Sequence, residues 1–447
     1  MTAVDLPALG RVAHDVATHG WVDESVGRDV RRLFVDTVGA ALGGLHYPAV
    51  HALGRDLGPG RFGETVTLGT AATWLDADSG GSFHPRGDRL PPVPTAHPAP
   101  HVLPVLLRHA GRHDDVTLLR AFAAGTELGL RLGAGSSLRP GIHPHGIHGP
   151  AGAAVAEAAL RGGDAATLAR AFARGAALPL AALLEVPMAG GTVRNLWTGL
   201  GAYHGASVGA DAAMDGDDQT DCAVLLELFD GAVCDELDAD VLMGTTQPWR
   251  LRDSYLKPYA CARWIHPALD ALRLALAERR GAVDSIDVRT FAFAASLSGV
   301  RPASDMAARF SLPFSLATYV TDGRLAAPEF LPDRLVRDDV AALAARTTVT
   351  EEPAFTAALP HERPTSVRVR FADGTTATAA VRNARGNPAD PLPDDEVAAK
   401  LRANVGDVLP GRVTEELAEW LHADPAPGDL LARIGRHVRE RLWTASA

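Results

Sequence analysis

At 447 residues the chain is long enough for about two or three domains. Its 47% hydrophobic and 22% charged residues describe an ordinary soluble globular protein. A formal net charge of -11 argues against a nucleic-acid or anionic-membrane partner. No uncharged apolar run approaches the ~20 residues that cross a bilayer.

Three cysteines, Cys222, Cys234 and Cys261, form no CxxC pair, and "MTAVDLPALG" lacks the basic-then-apolar order of a signal peptide. The expected compartment is the cytoplasm. Only two lysines occur, Lys257 and Lys400, among 43 basic residues. An amine changes protonation state where a guanidinium does not, so each is either a chance survivor or a functional residue.

Residues 1–255 read mainly as helices. The stretches 26–45, 117–135, 153–163 and 164–178 carry apolar residues at helical spacing, the last behind an Asp cap. "TAATWLDADSGGSF" (70–83) offers Asp76 and Asp78, a pair suited to orienting a histidine, binding a cation or capping a helix. "TAHPAPHVLPVLLRHAGRH" (95–113) places His97 before a helix ending near Gly111. His101, four residues on, would share a face with it, but no Glu completes a HExxH zinc motif.

"GIHPHGIHGP" (141–150) feeds the N-terminus of the next helix, which Pro150 suits. That end favours an anion and disfavours imidazolium, so His143 is either a neutral base beside a bound carboxylate or a capping histidine. "GGTVRNLWTG" (190–199) presents Arg194, a carboxylate clamp or a surface arginine. The acidic run 211–221 reads as a solvated loop.

After residue 255 the texture becomes α+β. Strand signals fall at 285–294, 346–352 and 365–381, the last around the hairpin dipeptide Asp373-Gly374. Helical stretches lie near 265–280, 305–320 and 337–345. Pro258 biases Lys257 toward extended backbone on the connection between the two parts. The expected organisation is a helical domain, 1–255, completed by 405–447, with an α+β lid at 256–404.

These pieces, in this order, resemble the MmgE/PrpD family, which includes 2-methylcitrate dehydratase, cis-aconitate decarboxylase and iminodisuccinate epimerase. "LFVDTVGAALGG", "GTAATWLDADS", "HPAPHVLPVLL", "GIHPHGIHGPAGAA", "KPYACARWIHPALDA", "RFSLPFSLATYVTDG" and "ADPLPDDEVAAKL" are each similar to a family segment, so the likeness spans nearly the whole chain. The resemblance implies a helical domain with a smaller lid, a homodimer, and an active site between the domains that uses no metal or cofactor. Carried over by position, Asp76, His97, His143 and Lys257 are the expected catalytic residues, with Arg194, Lys257 and His145 binding substrate. Within that scheme Asp76 orients one imidazole, and Arg194 and Lys257 hold carboxylates.

Four departures bear on the substrate. Arg194 stands where many members have lysine, Gly80 where they have threonine, and Phe314 where the decarboxylase-like pattern has tyrosine. An insertion, "FHPRGDRLPPVP", follows Asp76. The expected activity is a metal-independent lyase acting on a small polycarboxylate or β-hydroxy acid. The alternatives are an epimerase or isomerase using the same groups, a non-catalytic binding protein, and a metal hydrolase built on the histidines.

Overall fold

Aspartates start several helices where the sequence places them. Asp164 accepts from the Thr167 amide at 2.8 Å and opens Ala165–Ala176, and Asp114 accepts from the Thr117 amide at 2.7 Å and opens Asp115–Gly135. Such caps satisfy amides that have no partner within the helix, each for about 1 kcal/mol. The computed structural model describes residues 4–21, 23–83, 93–177, 179–180, 183–214, 222–244, 249–422 and 428–444. The acidic run from residue 215 to 221 and the insertion from 84 to 92 lie outside the described residues.

The N-terminal part is a helical body whose axes approach closely because small residues face each other. The Val193–Met214 helix packs between Gly149–Leu160 and Arg61–Trp74. A Cβ at Gly205 would come within 2.2 Å of the Pro150 carbonyl oxygen, and one at Gly199 within 2.2 Å of the Val66 carbonyl oxygen. Neither backbone oxygen moves without displacing its helix. This close packing fixes where Arg194, one residue into its helix, enters the interior.

The lid is a four-stranded sheet with helices on one face. Its strands are β5 (Val283–Thr290), β6 (Thr347–Glu351), β7 (Thr365–Phe371) and β8 (Thr376–Val381), in the order β6-β5-β7-β8. β5 and β6 run parallel; the other pairs are antiparallel. Thr365, Val367, Val369 and Phe371 alternate inward toward the His266–Glu278 helix. Asp373-Gly374 turns the hairpin as expected, with Gly374 at φ 82°.

Mainly α with a smaller α+β part is therefore the observed class. Three local features differ from the sequence reading. The strand expected over 285–294 ends at Thr290, and Ala292–Ala295 form a helical turn, since three of its four residues are alanine, the best helix former. Two short antiparallel pairs arise within the helical part: β1 (Ser82–Phe83) with β2 (Val93–Pro94), and β3 (Ser136–Leu138) with β4 (Cys234–Leu237). Finally, the chain rejoins the helical body before residue 405. The Asp394–Val405 helix packs on Glu24–Gly44, where Asp394 pairs with Arg28 at 2.7 Å and Arg32 at 2.6 Å.

Among the described residues, no helix is long and apolar enough to cross a membrane. The three cysteines are free. Replacing Gly205 by valine is expected to destabilise the body by about 3 kcal/mol, because overpacking here pushes on backbone rather than on a side chain that turns away. The shift in the denaturant midpoint against wild type measures it.

Candidate active site

The histidines, the paired aspartates, Arg194 and Lys257 converge. Asp76 lies two residues beyond the Arg61–Trp74 helix at φ 48°, the one non-glycine with left-handed backbone among the described residues. Aspartate tolerates this region better than most residues, and such strain concentrates at functional sites. The turn brings Asp76 and Asp78 into the interior, 3% and 0% exposed. Mutual bonds between Gly80 and Tyr255, Gly80 N to Tyr255 O at 3.2 Å and Tyr255 N to Gly80 O at 2.8 Å, lay the 255–257 segment against it.

Residues 255 and 257 then share one face of an extended chain, as residues two apart do. Lys257 donates to the Asp76 carbonyl at 2.8 Å and its carboxylate at 3.0 Å, and lies 3.9 Å from Asp78. Arg194 pairs with the same Asp76 carboxylate and donates to Thr73 O at 2.7 Å. Both expected carboxylate clamps are thus already engaged by Asp76. Arg194 is fully buried, which rules out the surface-arginine alternative.

Asp76, expected to orient an imidazole, holds the two cations instead. Asp78 meets the imidazoles: its Oδ2 lies 2.8 Å from His97 Nδ1 and 3.0 Å from His145 Nε2. The His97 and His145 rings stack with centroids 4.3 Å apart. His145 Nδ1 in turn lies 3.2 Å from His143 Nδ1, and the His145 amide donates to that same nitrogen at 3.1 Å. His97 Nε2 faces the Tyr255 hydroxyl at 3.3 Å.

His101 turns away, with its Nδ1 against the His97 carbonyl at 3.1 Å, and His148 bonds Ser136 at 2.8 Å. The zinc pairing of His97 with His101 does not form. A different trio, Asp78, His97 and His145, brings one ligand atom each within 4.8 Å of the others. These are donors for a two-histidine, one-carboxylate metal centre. The nearby charges oppose it: one Asp78 oxygen already serves both imidazoles, and the other has an ammonium 3.9 Å away.

Burial would raise the Asp78 carboxyl, but Lys257, His145 and His97 outweigh it and hold it well below the usual range. His143 and His145 are pushed well below the ordinary imidazole value by burial first and by Arg194 next. Burial and a buried cation, rather than the helix end weighed from sequence, keep them neutral. Burial opposes the charge on Lys257, yet Asp76 and Asp78 raise its pKa.

A cavity of about 220 Å³ opens onto these groups. Asp76, His97, His143, His145, Arg194 and Lys257 line it from the helical body and the connection; Arg263, Trp264, Phe310 and Arg363 line it from the lid. The volume suits a small metabolite better than a drug-sized ligand. Three roomier hollows, about 560, 480 and 430 Å³, contain none of the histidine cluster, so chemistry rather than size selects the site.

Lys400 supports the aspartate turn from behind. It donates to the Ala77 carbonyl at 2.8 Å and pairs with buried Asp36 at 2.6 Å. Sequence reading misses Asp78 as the orienting carboxylate, and misses Tyr255 and Arg363 altogether. Tyr255 has a signal, its two-residue offset from Lys257; Arg363 has none.

A helical part and a smaller α+β part meet over a buried cluster of histidines, aspartates and cations. Residues 259–422 match the family model of the MmgE/PrpD C-terminal domain, and the match supports membership of the MmgE/PrpD family. Members are generally enzymes, and the family suggests activity of dehydratase, decarboxylase or epimerase type. The matched span begins after Asp76, His97, His143, Arg194 and Lys257. No curated protein matches the chain.

The buried charges have measurable consequences. Histidine signals of His143 and His145 should titrate well below about 6.5, and Arg194→Gln should move them upward, as followed by NMR. Because folding lowers these pKa values, the native state binds fewer protons. Stability should therefore fall as pH drops below about 6.5 toward the folded values. Lys400→Met should cost about 3–5 kcal/mol by stranding Asp36, with Asp36→Asn/Lys400→Met recovering part, read from unfolding midpoints.

Proposed function

We propose that the cavity removes a proton from the carbon next to a carboxylate in a small polycarboxylate or β-hydroxy acid, as a metal-independent lyase. The supporting observation is His143, whose Nδ1 is backed by His145 and, through it, by Asp78, while the ring lines the cavity.

Donor and acceptor logic assigns the protons. Asp78 is a carboxylate, so His145 Nε2 carries hydrogen toward it, while His97 Nδ1 donates to the neighbouring Ser79 carbonyl at 2.9 Å. The His145 amide donates to His143 Nδ1 at 3.1 Å, so that nitrogen accepts and neutral His143 carries its hydrogen on Nε2. Proton abstraction by His143 uses the other neutral tautomer, with hydrogen on Nδ1 facing His145 Nδ1 at 3.2 Å and Nε2 bare. When it takes the substrate proton, the new imidazolium is stabilised through His145 by the Asp78 charge.

The electron pair of the broken C–H bond forms a C=C bond as the β-hydroxyl leaves. The Tyr255 hydroxyl, with His97 Nε2 3.3 Å behind it, passes on the proton that turns the leaving hydroxyl into water, and His97 replaces it. Lys257 is a poor acid, because two carboxylates raise its pKa. Its part, with Arg194, is to hold Asp76 and give the site a positive field for developing enolate charge.

Gly80 bears on the hydroxyl missing from the threonine position. A Cβ there would fall 2.5 Å from the Tyr255 hydroxyl, so Tyr255 occupies that space and supplies a hydroxyl of its own. Phe314, at the tyrosine position, packs against Phe330 and does not line the cavity.

Candidate β-hydroxy polycarboxylates incubated in heavy water give the test. A lyase yields the unsaturated product. Solvent deuterium in recovered substrate, without loss of water or carbon dioxide, marks an epimerase instead. His143→Ala should abolish either outcome, and Asp78→Asn should slow it by roughly 10²–10⁴-fold. Unchanged turnover in His143→Ala would overturn the assignment.

A further inference from the structure

Four cationic side chains line the cavity: Arg194, Lys257, Arg263 and Arg363. The first two share Asp76. Arg263 spends its donors on structure, reaching Arg385 O at 3.0 Å, Asn387 Oδ1 at 2.7 Å and His266 Nδ1 at 3.2 Å. Its guanidinium also covers the Tyr255 ring at 4.8 Å. Arg363 differs. Among the described residues its guanidinium has no ion pair and no hydrogen bond, and the charges it feels are those of Tyr255 and Arg263.

Its backbone, by contrast, is fixed. The Arg363 amide is held by Arg382 O and Asn383 Oδ1, each at 3.1 Å, at the root of the β7–β8 hairpin. A guanidinium on a rigid strand end, facing a cavity beside a second cation, lacks only an anion. Asp76 and Asp78 offset the positive charge at the histidine end, so the uncompensated charge lies on the lid side.

We propose that Arg363 is a specificity-determining residue that receives a second carboxylate of the substrate, remote from the C–H bond that His143 attacks. The planar fork pairs with a carboxylate through two parallel hydrogen bonds, with geometry that a monocarboxylate already held at the histidine end does not reach. The assignment rests on the proposed reaction for its polarity, one acid group at each end of a short carbon chain. It also gives the lid a part in recognition, because the distal carboxylate ties the two parts of the molecule together across the substrate. Burial, with the like charge of Arg263, lowers the Arg363 pKa to about 10, so it stays cationic at neutral pH.

Calorimetric titration with acetate, succinate and tricarballylate at low ionic strength is the test. Wild type should bind the two polycarboxylates roughly tenfold or more tighter than acetate. Arg363→Gln should weaken them roughly 10–100-fold while leaving acetate unchanged, and Arg363→Lys should recover part of the loss. The same series on His143→Ala separates binding from chemistry. Wild-type ranking there, with deuterium exchange unaffected by the substitution, would sink the proposed reaction and leave the subsite standing. Affinities of Arg363→Gln within about twofold of wild type for all three acids, or no preference for polycarboxylates in wild type, would overturn the subsite.

Discussion

The Asp76–Ala77–Asp78 turn is gripped from two directions by the only two lysines in the chain. Lys257, from the connection to the lid, donates to the Asp76 carbonyl; Lys400, from the returning C-terminal helix, donates to the next one, Ala77. Three distant parts of the sequence meet in those two bonds. A left-handed aspartate holds its conformation because its surroundings over-determine it, and the two aspartates then divide the work. One pairs with cations; the other sets the tautomer of His145. The chain is otherwise almost purely arginine in its basic residues, so these positions are ones where a compact, three-donor ammonium fits and a planar fork does not.

That division explains the electrostatics of the cluster. Three stacked or touching imidazoles beside Lys257 and Arg194 would repel protons from one another, and burial sharpens the effect. Asp78 offsets it without quenching it, because it sits at the end of the His145–His143 line rather than beside His143. A histidine acting as a base needs to be neutral at working pH and able to carry charge briefly, which is what the role proposed for His143 asks of this geometry.

Features set by neighbouring residues are legible from sequence. The hairpin at Asp373-Gly374, the caps at Asp114 and Asp164, and the helix behind Pro150 all depend on a few adjacent side chains, and all appear. His97, His143, Arg194 and Lys257 stand out by residue type and by family likeness, and the fold brings them together. The identity of each partner is less accessible. Asp76 and Asp78 are two residues apart, and only the backbone turn between them decides which meets a cation and which an imidazole. The return to the helical body depends on Asp394 finding Arg28 and Arg32, more than 360 positions away. Arg363 stands in an ordinary polar segment, and its significance comes from what does not surround it.

The fit of Tyr255 over Gly80 links two positions that are far apart in the chain. A side chain added at 80 collides with the phenol, and trimming the phenol alone leaves a hole and an unshielded imidazole. Neither residue is free to drift by itself. Moving the hydroxyl from one backbone segment to the other takes a coordinated exchange, so this pocket carries a historical lock that single-step variation does not open.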